Sequence, residues 1–120
     1  MFDHVGLRVR DLARSQKFYE TLLKPLGHGL QSSGEGYAGF GPKGAPALWL
    51  HASPNGGSGV HVAFSATSRE AVQQFHAAGL AAGGRDNGAP GLRADYAPTY
   101  YAAFIIDADG NNVEAVCMKG

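Results

Sequence analysis

Alternating and helical patterns of apolar residues follow one another twice along this chain. From Phe2 to Val9 the side chains alternate: Asp3, Val5, Leu7 and Val9 share one face, and Phe2, His4, Gly6 and Arg8 share the other. That is the period of a strand. Asp11 reads as an N-cap, and Leu12, Phe18, Tyr19, Leu22 and Leu23 then recur at helical spacing up to Lys24-Pro25-Leu26-Gly27, which stops the helix. A hairpin around Ser33-Gly34 is predicted from residues 28–33 and 35–40, followed by a strand over 47–52. Residues 53–58 read as a flexible connector.

The order then recurs. A strand is predicted over 59–66, and a helix capped by Ser68 runs to Ala82 and ends at Gly83-Gly84. Residues 85–98 are rich in Gly, Pro and Asp, with one short strand expected somewhere between Arg85 and Leu92. An apolar strand covers 99–107, and the tight turn Asp107-Ala108-Asp109-Gly110-Asn111-Asn112 leads into a last strand in which Glu114 interrupts apolar neighbours. The halves match at a fixed offset: His4-Val5-Gly6-Leu7 lies over His61-Val62-Ala63-Phe64, Asp11 over Ser68, Phe18 over Phe75 and Gly27 over Gly84. Such an internal repeat decides the architecture. The reading is α+β: one domain over 1–120 made of two βαβββ modules, 1–54 and 58–120.

Composition narrows the partners. Ten basic and ten acidic residues cancel, so no net field draws in nucleic acid or an anionic membrane. A single cysteine excludes an intrachain disulfide and fits a cytoplasmic location. No apolar run is long enough to span a membrane, and the N-terminus lacks a signal-peptide pattern.

The candidate chemistry comes from strand parity. Val5, Leu7 and Val9 must lie under the first helix, so His4 points to the other face; His61 follows by the same argument. Gly6, Ala63 and Ser65 leave open space beside the two imidazoles. A strand carboxylate such as Glu114 needs a partner if buried. Two imidazoles and a carboxylate form a set suited to one divalent ion of Fe, Mn, Zn or Ni, with coordination positions left for substrate. Cys117 has the opposite parity to Glu114 and stays out of that set. Tyr100 and Tyr101 alternate, so one faces the open side and one the helix layer; the first could donate to a bound oxyanion. Arg8 and Arg93 are candidate anion binders, whereas His28 and His76 read as surface residues.

Taken together, the paired His-Val strands, the duplicated βαβββ order and the ending Asp107-Ala108-Asp109-Gly110-Asn111-Asn112-Val113-Glu114 resemble the vicinal oxygen chelate superfamily. That family includes glyoxalase I, bleomycin-resistance proteins, fosfomycin-modifying enzymes and extradiol dioxygenases; small bacterial members look most similar. The resemblance implies an incomplete, cupped barrel with the helices outside. It implies a metal held by His4, His61 and Glu114, and a glyoxalase-like lyase or a dioxygenase acting on a small oxygen-chelating substrate. Glu114, Tyr100 and Tyr101 would be catalytic, and Arg8, Arg93 and Trp49 would bind substrate. Metal-free sequestration of the bleomycin-resistance type and fosfomycin-type thiol transfer are the alternatives, and a homodimer is implied. Aligning the turn at Pro42 to Pro46 with the Asp107 turn puts Leu48 over Glu114, where glyoxalase I has its fourth ligand. A one-residue slip would instead bring Trp49 and His51 inward.

Overall fold

In a computed structural model, which describes residues 1–57 and 59–120, each half of the chain builds one four-stranded sheet and one helix. The first half runs β1 (Val5–Val9), α1 (Leu12–Leu23), a 3-10 turn (Lys24–Leu26), β2 (Gly29–Gly34), β3 (Tyr37–Gly41) and β4 (Leu48–Ala52). The second runs β5 (His61–Ser65), α2 (Arg69–Ala81), β6 (Arg85–Leu92), β7 (Tyr101–Ile106) and β8 (Asn112–Cys117). The sheet orders are β1-β4-β3-β2 and β5-β8-β7-β6. In each, the first strand pairs in parallel with the last and the other pairings are antiparallel. The expected fold class is therefore observed: two α+β repeats whose sheets remain open rather than closing into a barrel. Ser58, at the predicted end of the connector, lies outside the described residues.

The helices form where the caps predict. The Asp11 carboxylate accepts from Arg14 N at 3.1 Å, and Ser68 Oγ accepts from Ala71 N at 3.0 Å. Gly27, at φ 88°, closes the first helical segment in the left-handed region that favours glycine. The apolar stripe of each helix covers one face of its sheet. Leu7, Val9, Phe18, Tyr19, Leu22, Phe40 and Leu50 from the first half join Val72, Phe75, Ile105, Val113 and Ala115 from the second in one continuous core. The helices also pack on each other. The opposite face of each sheet stays open: Gly6, Arg8 and His51 are exposed on one, and His61, Ala63 and Ser65 on the other.

The Asp107 turn ties the halves together. Asp107 Oδ1 accepts from Asp109 N and Asn111 N, at 2.9 and 2.8 Å. Its other oxygen accepts from Asn111 Nδ2 at 2.8 Å and from Tyr19 Oη, on the first module's helix, at 2.5 Å. Arg10 N donates to Asp109 Oδ1 at 3.0 Å. The turn thus locks α1 and the end of β1 to the start of β8.

Two expectations need correction. His76 is not a surface residue; it is buried on α2, and its Nε2 lies 2.9 Å from Asp86 Oδ1 on β6. Leu48 is not the counterpart of Glu114 either. Gly6 pairs with Trp49 where Ala63 pairs with Glu114, so Trp49 holds the equivalent register position and Leu48 is buried under the helix. Hydrogen-bond pairing with the neighbouring strand sets the register here, and turn length alone does not predict it.

Candidate functional site

The open face of the second sheet carries a buried carboxylate. Glu114 sits mid-strand on β8, between Ala63 of β5 and Phe104 of β7, and is only 2% exposed. Burying it uncompensated would be costly, and it has two partners. His61 Nε2 lies 2.8 Å from Oε1, and the Tyr100 hydroxyl donates to Oε2. These groups and Asn112, Tyr96 and Phe104 line one hollow of about 410 Å³. Burial and the Glu114 hydrogen bond together push the Tyr100 phenol up to about 12. It therefore stays protonated at physiological pH and remains a donor. A second hollow is mainly apolar, lined by Val5, Phe40, Leu48, Val62 and Phe64, and His28, expected at the surface, is half-buried at its wall; it holds no carboxylate.

The aromatic wall of the polar hollow is braced by its neighbours. The His61 ring stacks on Phe104 at 6.2 Å, and the Arg93 guanidinium lies over Phe104 at 5.4 Å. Arg93 also donates to Gly91 O and Ala89 O, each at 2.8 Å, and its backbone N donates to Tyr100 O at 2.7 Å. Its guanidinium is thus engaged within the chain, holding the loop that carries Tyr96 and Tyr100. Those two rings meet edge to face at 5.0 Å.

The remaining candidates lie elsewhere. Tyr101 faces the helix layer, accepting from Gln73 Nε2 at 2.9 Å under the Arg69 guanidinium. His4 precedes β1 on the other sheet, exposed, with Nδ1 2.7 Å from Asp3 Oδ1. Arg8, Trp49 and His51 share the open face of that first sheet. Among the described residues, no three His, Cys, Asp or Glu side chains converge in one chain. The helix layers join the two modules, and His61 begins, and His4 directly precedes, an edge strand of separate sheets. Parity reasoning missed Phe104 and Tyr96 as parts of the wall, because they come from β7 and the irregular segment before it. The aromatic content of 96–104 was the available signal.

Comparison with known proteins agrees with this architecture. A glyoxalase/bleomycin resistance protein from Albidiferax ferrireducens shares 34% sequence identity, with 98% of each chain covered and a TM-score of 0.83. A glyoxalase/bleomycin resistance protein/dioxygenase family enzyme from Burkholderia phytofirmans shares the fold at 18% identity, covering 98% of each chain with a TM-score of 0.75. No match was found among curated proteins. The sequence profile of one family fits residues 1–115, nearly the whole length, and the chain belongs to the Glyoxalase/Bleomycin resistance protein/Dioxygenase superfamily.

Proposed function

We propose that this protein is a divalent-metal-dependent enzyme acting on a small substrate with two neighbouring oxygens, by glyoxalase-like lyase or dioxygenase chemistry. The observation that carries the reading is the buried Glu114 carboxylate, held against His61 at the floor of an open polar hollow. Imidazole and carboxylate at 2.8 Å are a fitting donor pair for Fe, Mn, Zn or Ni. The third donor is His4 of a second copy. β1 and β5 are both unpaired sheet edges, and Met1, Phe2 and Val60 expose apolar surface beside them. Free edges of this kind invite pairing with another chain. A homodimer that sets β1 of one copy beside β5 of the other would complete a His4, His61 and Glu114 set. Each chain then acts as one domain of two modules, 1–54 and 58–120.

A bound ion would supply Lewis acidity toward the substrate oxygens. The chain supplies the rest. Tyr100 stays protonated and donates to an oxygen on which negative charge develops. Glu114 is available to hold a proton at Oε2 when Tyr100 turns to substrate. Phe104, braced by Arg93, fixes the His61 ring and makes one wall of the hollow aromatic.

The test is thermal unfolding of chelator-stripped protein with each of the four ions added. Saturation at a hundred times Kd stabilises by about 2.7 kcal/mol, a rise on the order of 10 °C for a chain of this size. Loss of that rise in His61→Ala, Glu114→Gln and His4→Ala is expected. No rise with any ion in the parent protein overturns the reading. An unchanged rise in His4→Ala, or a monomer that binds metal as tightly, removes the second copy from the site.

A further inference from the structure

The open face of the first sheet has a construction of its own. Its side chains stand in two rows across the strands. One row reads Arg8, His51, Tyr37, Gly34 and the next reads Gly6, Trp49, Gly39, Ser32. Each large ring leans onto a glycine of the neighbouring strand. A Cβ built on Gly39 would lie 2.5 Å from Trp49 Cζ3, and one on Gly34 would lie 2.7 Å from the Tyr37 ring. His51 leans toward Gly6, where a Cβ would meet its Cδ2 at 3.5 Å. The glycines therefore let indole and phenol lie down on the sheet and present their faces outward, where any side chain would tilt them up. Trp49 and Tyr37 are 6.2 Å apart at 51°. At the β1 end of the first row stands Arg8, which has no acidic partner among the described residues. The side chains of these two rows include no carboxylate.

We propose that this face is a binding shelf for a planar aromatic anion, with the ring stacked on Trp49 and the anionic group held by Arg8 beside His51. Flat π-faces favour a flat π-ligand, and a guanidinium pairs with a carboxylate in a plane that suits such stacking. The shelf deepens the reading above, because in the proposed dimer it forms the wall facing the Glu114 hollow and names the substrate class. Its binding needs no metal, so the two readings fail separately.

Trp49 is the only tryptophan of the chain, so its indole N–H is a single, assignable NMR signal. The experiment titrates 2-naphthoate, uncharged 2-naphthalenemethanol and non-aromatic cyclohexanecarboxylate into chelator-treated protein. Naphthoate should shift the indole signal saturably, and the two controls should bind at least about fivefold more weakly. Arg8→Met should erase the preference for the acid over the alcohol. Gly39→Val should erase the preference for the aromatic acid over the alicyclic one while the dispersed spectrum of a folded protein is kept. If Gly39→Val does not fold, Trp49→Leu read by calorimetry replaces it. An indole signal unmoved by naphthoate, equal affinities for the three probes, or an Arg8→Met variant that still prefers the acid overturns the proposal.

Discussion

Trp49 occupies in β4 the register position that Glu114 occupies in β8. The repeat therefore offers the same open-face position twice, and fills it once with a π-surface and once with a buried carboxylate. In the second sheet the residue beside the carboxylate, Phe104, leans over Gly88, where a Cβ would come within 2.8 Å of the ring. In the first sheet Trp49 leans over Gly39 in the same sense. One device, a ring laid on a glycine, thus serves two chemistries.

The carboxylate version makes a measurable prediction at Tyr100. Burial is the larger cause of its raised pKa, and the Glu114 hydrogen bond and charge add to it. In Glu114→Gln the charge goes and the burial stays. The Tyr100 phenol should then titrate below its parent value of about 12, yet above the ordinary value near 10. NMR detection of the Tyr100 ring during an alkaline titration reads this directly. A phenol that does not move would show that Glu114 is not its partner.

The lock between modules should show itself at alkaline pH. Burial, and then the Asp107 charge, hold the Tyr19 phenol well above its ordinary value, while in the unfolded chain it ionises near 10. The Tyr19→Phe variant loses the bond to Asp107 and should be about 1–3 kcal/mol less stable at neutral pH, because a buried acceptor loses a donor. The sign for the parent follows from a raised folded pKa. Its advantage is fully present below about pH 10 and is lost as pH rises toward the folded pKa. Urea unfolding of both proteins from pH 7 to 11 should therefore show the gap closing upward. A gap that is constant across that range rules out the assignment.

Much of this was legible in the pattern, for identifiable reasons. Leu12–Leu23 was fixed by a capping Asp11, five apolar residues at helical spacing and a Pro-Gly stop, all local signals. The open-face parity of His61 and Glu114 followed from alternation. Strand β6 was harder, because Gly88, Pro90 and Gly91 carry no alternation and its pairing with β7 shifts register twice. His76 was misjudged on its polarity. Val72, Phe75, His76 and Gly79 form a clean helical stripe of buried residues, and the imidazole is accepted there because Asp86 satisfies it. The failure of any single chain to gather His4 with His61 lay beyond local pattern, since it depends on which faces of two modules meet.

That buried imidazole gives an acid-side prediction. The His76 hydrogen bond, and then the Gly88 backbone N–H at 3.0 Å, hold the Asp86 carboxyl below its ordinary value. A lowered folded pKa contributes stability above the unfolded value of about 4, and that contribution is lost as pH falls through the folded value. Parent and Asp86→Asn should therefore converge in urea midpoint as pH falls from about 5 and the carboxyl takes up its proton. Midpoints that stay apart after the carboxyl is protonated would contradict the pairing.

Gly84 tests whether the two halves fold as one core. It ends the segment after α2, and a Cβ there would lie 2.5 Å from Ile105 Cγ2, 2.9 Å from Gly79 O and 2.9 Å from Phe18 Cε1. Phe18 belongs to the first module and Ile105 to the second, and two of the three obstacles are buried side chains with little room to move. Gly84→Ala should therefore destabilise by about 1–3 kcal/mol through overpacking, against the gain of about 0.4–1 kcal/mol that a Gly→Ala change gives in open surroundings. Because the strain falls across the shared core, unfolding should remain a single transition at a lower urea midpoint. Two separate transitions, with only the second half lost early, would show that Phe18 and Ile105 do not share a cooperative unit.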